Sequence, residues 1–534
     1  MTSQIRPAPG DFLLASRVLS RRSVLKAGAV TAGVAFASGA LAACTSESSP
    51  IDGDTPDGKI DTAGSNIFQD LDPHVASAIG TIGITDLVFE ALYSMDPVDP
   101  ARVVPVLAVG EPEVSGNTVT VRLRSGATFH DGSPLRASDV VYSFQRIADA
   151  KFASFYARFV AFIGGVTAVD DTTVRFTLKQ TSPFLKNRLA LVRIVSQKAV
   201  KGAKKDQLAS KPVGSGPYKA QKIDLTREAT LTRFAAYQGP RKPFADTITY
   251  AVTADDAARL SALGTGRLDV AYDIPYQDID RLNAGSTKAE AVPSFAHTDL
   301  FFNCKKGAFA DPRVRLAILH AIDRDAIRDS VFMGKAENAV SVLPSYHPDF
   351  VEPSTKIGHD PDRARTLLAE AGVRNLSFTL FVSNIGFVTP QATLIKSDLE
   401  KVGVNARIQP GETESFVPKI LDGKYDAWLT IGDATIIGAY DGEFLMRWLY
   451  YGFIATGFMY WTAPEQKQVE SLLDGAFADS DETSRKAKLA QVQDIVAANA
   501  PTFPLHFRQQ TAAWSSQLSN LRASPVYGVD LLGG

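Results

Sequence analysis

The stretch "VTVRLRSGATFHDGSPLRASDVVYSFQRI", residues 119–147, joins a strand, a tight turn and a helix without interruption. In its first residues, apolar side chains alternate with threonine and arginine, which is the period of a half-buried strand. Further along, Val140, Phe144 and Ile147 recur at i, i+4 and i+7, so the predicted helix has one apolar face. The stretch therefore predicts a strand and a helix that share a core.

The turn between these elements places His130 beside Asp131 and raises the question of catalysis. No nucleophile or third group is evident nearby, which favours scaffold over a catalytic pair. Asp131-Gly132 is typical of a tight turn. We expect Ser138 to cap the start of the helix that follows.

The same local signals continue along the chain. "TTVRFTLK" (172–179) alternates like the first strand, and "DTITYAVTA" (246–254), "LSFTLFVS" (376–383) and "YDAWLTIG" (425–432) are further strand candidates. Asp311-Pro312 and Asp360-Pro361 each predict a capped helix start. This irregular alternation predicts an α/β fold, mixed with α+β character, with more than one sheet.

Composition narrows the function. The chain has 534 residues and a formal net charge of −2, which is enough sequence for two or three domains and gives no field that would attract nucleic acid. Gly-x-Ser-x-Gly, a phosphate-loop lysine, HExxH and metal-spaced cysteine pairs are all absent from the sequence. The commoner hydrolase, nucleotide-binding and metalloprotease interpretations therefore lose their usual support.

The histidines and the paired glycines also lack a recognised pattern. "GSGPY" (214–218) and "GTGRLD" (264–269) lack the elements of a dinucleotide fold and predict turns or close backbone approaches. We expect no cofactor, and a metal site assembled from distant histidines stays open as an alternative. The histidines are His74, His130, His297, His320, His347, His359 and His506.

The N-terminus resembles an export signal. Twin arginines within residues 20–26 precede a run rich in alanine and glycine that ends at Cys44. Residues 1–43 are thus predicted to be a twin-arginine signal peptide, with an uncleaved anchor helix as the alternative, and Cys44 resembles a lipid-attachment site. The polar tract 44–57 predicts a flexible tether. Cys304 is the only other cysteine and is expected to be a small hydrophobic residue and not a reactive thiol.

Several blocks, taken in order, resemble one family. They are "DLDPH" (70–74), "VFEALYSMDP" (88–97), the opening stretch, "VGSGPY" (213–218), "GRLDV" (266–270), "FFNCKKGAFADPRVRLAILHAIDRDAI" (301–327) and "DPDRARTLLAEAG" (360–372). Together they are similar to the extracellular solute-binding proteins of ABC importers, family 5, which includes dipeptide, oligopeptide and nickel binders. The resemblance extends over roughly residues 60–510.

This resemblance implies a two-lobed periplasmic-binding-protein-like fold of class II (cluster C) with an inserted subdomain. The first lobe would comprise residues 58–98, 208–296 and 503–534. The inserted subdomain would comprise 99–207 and the second lobe 297–502. Such a protein encloses a ligand as its lobes close and carries out no reaction.

The resemblance is least informative about the ligand. Peptide-binding relatives carry Trp-x-Ala-Asp after the strand that corresponds to "YDAWLTIG" (425–432), and the aspartate of this motif receives the peptide's amino terminus. Here Gly432 and Thr435 stand at the Trp and Asp positions, so Asp433 is the nearest substitute and Asp441 a second option, against ordinary turn aspartates. Arg447 is a candidate for a ligand carboxylate. Aromatic and polar candidates for the cleft are Tyr440, Trp448, Phe68, Phe387, Asn384 and Asn303.

We therefore expect an exported, lipid-anchored, monomeric binding protein at the outer face of the cytoplasmic membrane. It would capture a peptide or a similar small polar solute and deliver it to ABC permease subunits, without binding nucleic acid. A metal-chelate or haem binder of the same fold is the first alternative, and an exported hydrolase is the second. An opine or a sugar is also compatible with the sequence.

Overall fold

The structure is a computed structural model that describes residues 58–65, 70–76, 79–201 and 207–532. The predicted signal peptide, Cys44, the tether and Phe68 lie outside the described residues. Within those ranges, every helix is too short or too polar to traverse a bilayer.

The strands are short except for two. In chain order they are β1 (Lys59–Gly64), β2 (Tyr93–Met95), β3 (Val103–Pro105), β4 (Glu113–Ser115), β5 (Thr118–Arg122), β6 (Ile163–Ala168), β7 (Thr173–Leu178), β8 (Tyr218–Asp224), β9 (Glu228–Arg233), β10 (Thr247–Val252), β11 (Val270–Tyr272), β12 (Thr287–Phe302), β13 (Ala336–Asn338), β14 (Ser377–Ser383), β15 (Asn405–Gly411), β16 (Ala427–Gly432), β17 (Thr502–Ser515), β18 (Arg522–Ser524) and β19 (Gly528–Asp530).

The helices alternate with these strands, which confirms the predicted mixed α/β class. They are α1 (Ile79–Val88), α2 (Ala137–Ala148), α3 (Leu185–Ala190), α4 (Gln197–Lys201), α5 (Gln207–Ser210), α6 (Asp256–Gly264), α7 (Ile279–Asn283), α8 (Pro312–Ala321), α9 (Arg324–Val331), α10 (Pro361–Glu370), α11 (Thr389–Lys401), α12 (Thr413–Leu421), α13 (Gly442–Tyr450), α14 (Pro464–Ala478) and α15 (Glu482–Asn499).

An eleven-stranded mixed sheet runs through the described residues in the order β15-β14-β16-β12-β17-β11-β1-β10-β9-β8, with β13 paired to β17. β12 and β17 have 16 and 14 residues and pair antiparallel. Their ladder is irregular between Pro293 and His297 and again between Thr298 and Asp299. Bulges bend and twist a ladder. These irregularities therefore divide the β12–β17 ladder into two parts.

The opening stretch forms the predicted strand and helix. β5 is an inner strand of a separate four-stranded sheet, β4-β5-β7-β6. Val119, Val121 and the predicted apolar face of α2 are buried. Phe144 of α2 contacts Phe176 of β7 edge to face, with ring centroids 5.0 Å apart. Burial of these side chains fixes the helix on the sheet.

The turn before α2 holds the turn at residues 214–216 in place. The Asp131 carboxylate accepts a hydrogen bond from the Ser133 N–H at 3.0 Å. The His130 ring contacts the Gly216 carbonyl at 3.0 Å and accepts from the Gly214 N–H at 3.3 Å. A Cβ at Gly214 would lie 1.9 Å from the Val88 carbonyl oxygen, which is the close approach that the paired glycines predicted. His130 thus supports the backbone, in line with the scaffold interpretation.

The helix caps are partly as predicted. Asp311 and Asp360 cap α8 and α10, and each is followed by proline. The expectation that Ser138 caps α2 is wrong, because α2 already begins at Ala137. Instead, Asp139 in its first turn accepts from the Arg136 N–H at 3.0 Å.

Candidate ligand-binding site

A cavity of about 170 Å³ lies beside the irregular part of β12. Distant parts of the chain form its walls, including all three segments predicted for the first lobe, the start of the predicted inserted subdomain and the predicted second lobe. Its lining includes Val98, Phe295, Tyr346, Thr435, Tyr440 and Val526. Thr435 and Tyr440 are two of the site residues predicted from the sequence.

Asp433 follows β16 directly and holds Thr435 in place. Its Oδ1 accepts hydrogen bonds from the Thr435 N–H at 2.9 Å and from the Thr435 hydroxyl at 2.6 Å. Its Oδ2 is buried and has no hydrogen-bond partner. Burial raises the pKa of Asp433, although the Thr435 hydrogen bonds and the charges of His297 and Arg508 oppose that rise. The carboxylate therefore offers an unused buried acceptor.

Arg508 of β17 is a second positive charge, after His297, that lowers the pKa of Asp433. Burial alone would lower the pKa of Arg508, but Tyr276, Asp273 and Asp433 raise it above its ordinary value. Its guanidinium also lies 4.7 Å from the ring centroid of Phe387, a predicted site residue. Arg508 thus remains charged. Its guanidinium contacts the Phe387 ring, and its charge acts on Asp433.

Two tyrosines flank Asp433. Burial, followed by the charges of Asp433 and Asp99, raises the pKa of Tyr440 to about 12, so its hydroxyl stays protonated. The Tyr346 hydroxyl donates to the Ser294 carbonyl of β12 at 2.5 Å. His347 contacts the Tyr440 carbonyl through Nε2 at 2.7 Å and fixes that backbone. These rings give the crevice rigid apolar area with polar edges.

The surroundings of Gly432 explain why this chain lacks the tryptophan that peptide-binding relatives carry at that position. In the β12–β16 ladder, His297 lies opposite Gly432, and a Cβ at Gly432 would lie 2.5 Å from His297 Nε2. His297 Nε2 is 2.9 Å from Asp299 Oδ2. Burial would lower the pKa of His297, but Asp299 and other acceptors raise it above its ordinary value. The His297 ring therefore occupies space that a larger residue at 432 would need.

Arg447 and Trp448 lie on α13, in different surroundings. The Arg447 guanidinium pairs with Glu443 and, at 3.0 Å, with Asp474. Trp448 packs against Phe155, with ring centroids 4.8 Å apart. These contacts engage both side chains, and the roles predicted for Arg447 and Trp448 stay predictions.

The asparagines are also engaged elsewhere. The Asn303 side chain donates to the carbonyls of Gly423 and Tyr425 at 3.1 and 3.0 Å, which joins β12 to the turn before β16. Asn384 donates to Glu412 at 3.1 Å. Asp441, the second option for an amine, caps α13 and pairs with Arg188.

Sequence reasoning missed Arg508, Tyr346, His297 and Gln510. A signal for two of them was present in "LHFRQQ" (505–510), where His506, Arg508 and Gln510 recur at period two inside a largely buried strand. Three polar side chains on one face of a buried strand need partners. No comparable signal marks Tyr346, which reaches the crevice from a loop.

A two-lobed α/β protein with a polar crevice at its crossing strands is the architecture of a solute-binding protein. The family model described as "Bacterial extracellular solute-binding proteins, family 5 Middle" matches residues 102–456. The chain belongs to this family, and the recognition made from the ordered blocks is confirmed.

The relatives agree with this assignment. The chain is 28% identical over 541 aligned residues to the glutathione-binding protein GsiB of Escherichia coli K12, covering 95% of this chain and 98% of the relative. The dipeptide-binding protein of Pseudoalteromonas sp. SM9913, in complex with Met-Leu, matches with a TM-score of 0.79 at 23% identity, covering 89% and 99% of the two chains. The binding protein AgaA with agropinic acid, from A. tumefaciens R10, matches with a TM-score of 0.75 at 25% identity, covering 88% and 98%. The predicted two-lobed fold is thereby confirmed.

Proposed function

We propose that this chain is a lipid-anchored solute-binding protein of an ABC importer and that its ligand is a peptide or a similar small solute carrying an amine and a carboxylate. The observation that carries the proposal is the unused, buried Oδ2 of Asp433. A buried carboxylate oxygen without a hydrogen-bond partner is costly unless a donor or a cation binds it. A ligand ammonium at this oxygen would form a charge-assisted hydrogen bond.

The carboxylate of the same ligand would bind Arg508. The guanidinium stays charged and stacks near Phe387, and its charge acts on Asp433. A zwitterionic ligand between these residues would offset the charge of each. The likeness to glutathione-binding relatives supports a small peptide with these two groups.

Closure would follow from the position of the crevice. We place the hinge at the irregular ladder between Pro293 and Asp299, near the proposed boundary of the second lobe at residue 297. A ligand that contacts both lobes favours the closed form by its differential affinity, and the permease would recognise that form. No bond of the ligand needs to change, so the protein would be a monomeric carrier and not an enzyme.

Export and anchoring complete the proposal. The twin arginines would direct the folded chain out of the cytoplasm, and a lipid on Cys44 would hold it at the outer face of the membrane. Mass spectrometry of membrane-extracted protein tests this part. A mature chain that begins at acylated Cys44 is expected, and a chain that retains residues 1–43 would contradict it.

Native mass spectrometry of protein purified without denaturation tests the ligand class. We expect the release of a small peptide, and that peptide, when added back, should raise the melting temperature and be recovered intact. Release of a haem or a metal chelate would favour the alternative ligand. Turnover of an added peptide library would instead establish a hydrolase.

A further inference from the structure

One end of the large sheet carries an excess of lysine. β8 is the edge strand there, and its register places Tyr218 opposite Arg233 of β9. β9 pairs Thr232 with Thr247 of β10, and β10 runs parallel to β1 with Thr247 opposite Lys59. The first residues of β8, β10 and β1 and the last residue of β9 therefore lie at the same end of the sheet.

Three exposed lysines near this end form no ion pair with any carboxylate that the structure describes. They are Lys211, Lys219 and Lys242, and together they define the lysine face. Lys219 is the second residue of β8, and Lys242 lies in the connection between β9 and β10. Lys211 lies in the connection that leads into β8. Their charges are therefore open to solvent and to a binding partner.

The turn at residues 130–132 brings separate lysines together. Three residues after Lys211, a backbone carbonyl accepts from the His130 N–H at 2.8 Å. Burial lowers the pKa of His130 to about 4, and the charge of Lys219 acts in the same direction. Lys198 of α4 lies 3.7 Å from Asp131 in the same turn. Lysines from three segments of the chain therefore gather around one turn.

Carboxylates at this end are already engaged by other cations. Three of them lie 2.8, 3.7 and 3.1 Å from a cation, in the pairs Asp61–Lys59, Asp131–Lys198 and Asp246–Arg233. The chain as a whole has a formal net charge of −2, so the positive excess is local. A local field of this sign attracts a negatively charged surface.

The predicted tether joins the chain at the same end. The N–H groups of Asp246 and Thr247 donate to the Gly58 carbonyl at 2.6 and 3.1 Å, just ahead of β1. Neighbouring strands lie about 4.8 Å apart, so β8 is about 14 Å from β1 across this end. A flexible chain of the tether's length spans about 20 Å on average. A lipid on Cys44 would therefore hold the lysine face close to the membrane.

The crevice lies toward the other end of the same sheet. Ser515 of β17 pairs with Thr287 of β12 on the side of the lysine face, because β17 pairs with β11 and β11 with β1. Gln509 pairs with Pro293, which lines the crevice. At about 3.3 Å per residue, the stretch from Thr287 to Pro293 covers about 20 Å. A membrane against the lysine face would thus leave the crevice open.

We propose that the lysine face binds anionic phospholipid headgroups and holds the anchored protein with its crevice away from the bilayer. The inference rests on the lipid attachment proposed above and adds an electrostatic contact with the membrane. An acyl chain combined with a basic cluster holds a protein on a membrane more firmly than one chain alone. Since each lysine near an anionic surface contributes roughly a fivefold gain in affinity, three lysines should contribute on the order of a hundredfold.

Vesicle flotation separates this contact from the lipid anchor. The mature chain with Cys44→Ser carries no lipid, and vesicles of phosphatidylcholine with about 30% phosphatidylglycerol supply the anionic surface. This chain should bind the anionic vesicles at least tenfold more tightly than vesicles of phosphatidylcholine alone. Raising the salt from about 0.05 to 0.5 M should abolish the difference. Equal binding to the two kinds of vesicle would overturn the proposal.

Two variants of equal charge assign the binding to these lysines. The test variant removes all three charges of the lysine face by Lys211→Gln, Lys219→Gln and Lys242→Gln. The control removes three exposed lysine charges elsewhere by Lys151→Gln, Lys305→Gln and Lys467→Gln. The test variant should lose at least tenfold in affinity for anionic vesicles and the control less than twofold, with melting temperatures unchanged. Equal losses would indicate a general effect of net charge and overturn the lysine face.

The lipidated chain tests the orientation. A fluorophore on Gln238→Cys, between β9 and β10, should be quenched by a headgroup-linked quencher at least threefold more than one on Thr462→Cys in the second lobe. Equal quenching would overturn the orientation. If the lysines are needed for solute uptake but not for vesicle binding, the face contacts the permease and the proposal is overturned. If Cys44 carries no lipid, the proposed anchoring fails, and flotation of the unlipidated chain still decides whether the lysine face binds headgroups.

Discussion

Two buried charged regions of this protein differ in whether their polar atoms are paired. Arg188 of α3 donates to both oxygens of Asp441, at 2.8 and 3.0 Å, and also pairs with Glu443 of α13. Asp433, which holds the crevice-lining Thr435, keeps Oδ2 without a hydrogen-bond partner. Complete pairing fixes α13 against the proposed inserted subdomain, whereas incomplete pairing leaves a position for a ligand. Burial of charge alone therefore does not mark a binding site.

The paired region should show the largest effect on stability. Arg188→Met would leave Asp441 and Glu443 buried without their shared cation, and we expect a loss of about 3–5 kcal/mol in the free energy of unfolding. Urea denaturation measures it. Lys186→Met on the same helix is the matched control, because Lys186 makes only an exposed pair with Glu111 and should cost under about 1 kcal/mol. Equal losses in the two variants would erase the distinction between the regions.

Two buried histidines make the stability of the protein depend on pH. Burial lowers the pKa of His74 and of His506 to about 4, from the ordinary value of 6.5. The unfolded chain takes up these protons below pH 6.5, but the folded chain takes them up only near pH 4. Stability is therefore full above pH 6.5 and falls as the pH drops toward 4, by about 3 kcal/mol for each histidine.

His506→Gln isolates one of these contributions, since glutamine retains a donor for the Arg324 carbonyl. We expect the variant to lose less free energy of unfolding than the wild type between pH 7 and pH 4, by about 3 kcal/mol. Denaturation curves at both values measure the difference. Parallel losses in the two proteins would mean that His506 titrates normally.

Removing the charge of Asp433 should have the opposite effect on stability to removing the charge of Arg188. Burial raises the pKa of Asp433, so its charge opposes folding when no ligand is present. Asp433→Asn should therefore raise the free energy of unfolding of the ligand-free protein by about 1 kcal/mol. Asp422→Asn is the exposed control in the same lobe and should change nothing. A destabilised Asp433→Asn variant would mean that this carboxylate is structural.

Most of the fold could be predicted, because its signals are local. The face of α2, the Asp311 cap and the order of the blocks all depend on residues close in sequence. The predicted cap of α2 was wrong because the side chain of Asp139, and not that of Ser138, bonds the backbone at the start of the helix. Asp433, Thr435 and Tyr440 could be predicted together as candidates because they lie in one short loop.

The rest of the site depends on tertiary structure. Arg508 lies on β17 and Asp433 directly follows β16, and β12 separates these two strands in the sheet, so no sequence spacing links the two residues. Arg447 stays a prediction from the sequence, although its guanidinium is engaged in ion pairs. Glu443 stands four residues before it, which is the spacing of an ion pair along a helix, and the structure contains that pair.

The most direct test of a ligand ammonium at Asp433 compares a free tripeptide with its N-acetylated form by calorimetric titration. Acetylation removes the positive charge that Oδ2 would bind. The wild type should bind the free peptide at least tenfold more tightly than the acetylated one, and Asp433→Asn should bind both with the same weak affinity. If the wild type binds the two forms equally, the unused carboxylate oxygen is not the ligand's anchor and the account is contradicted.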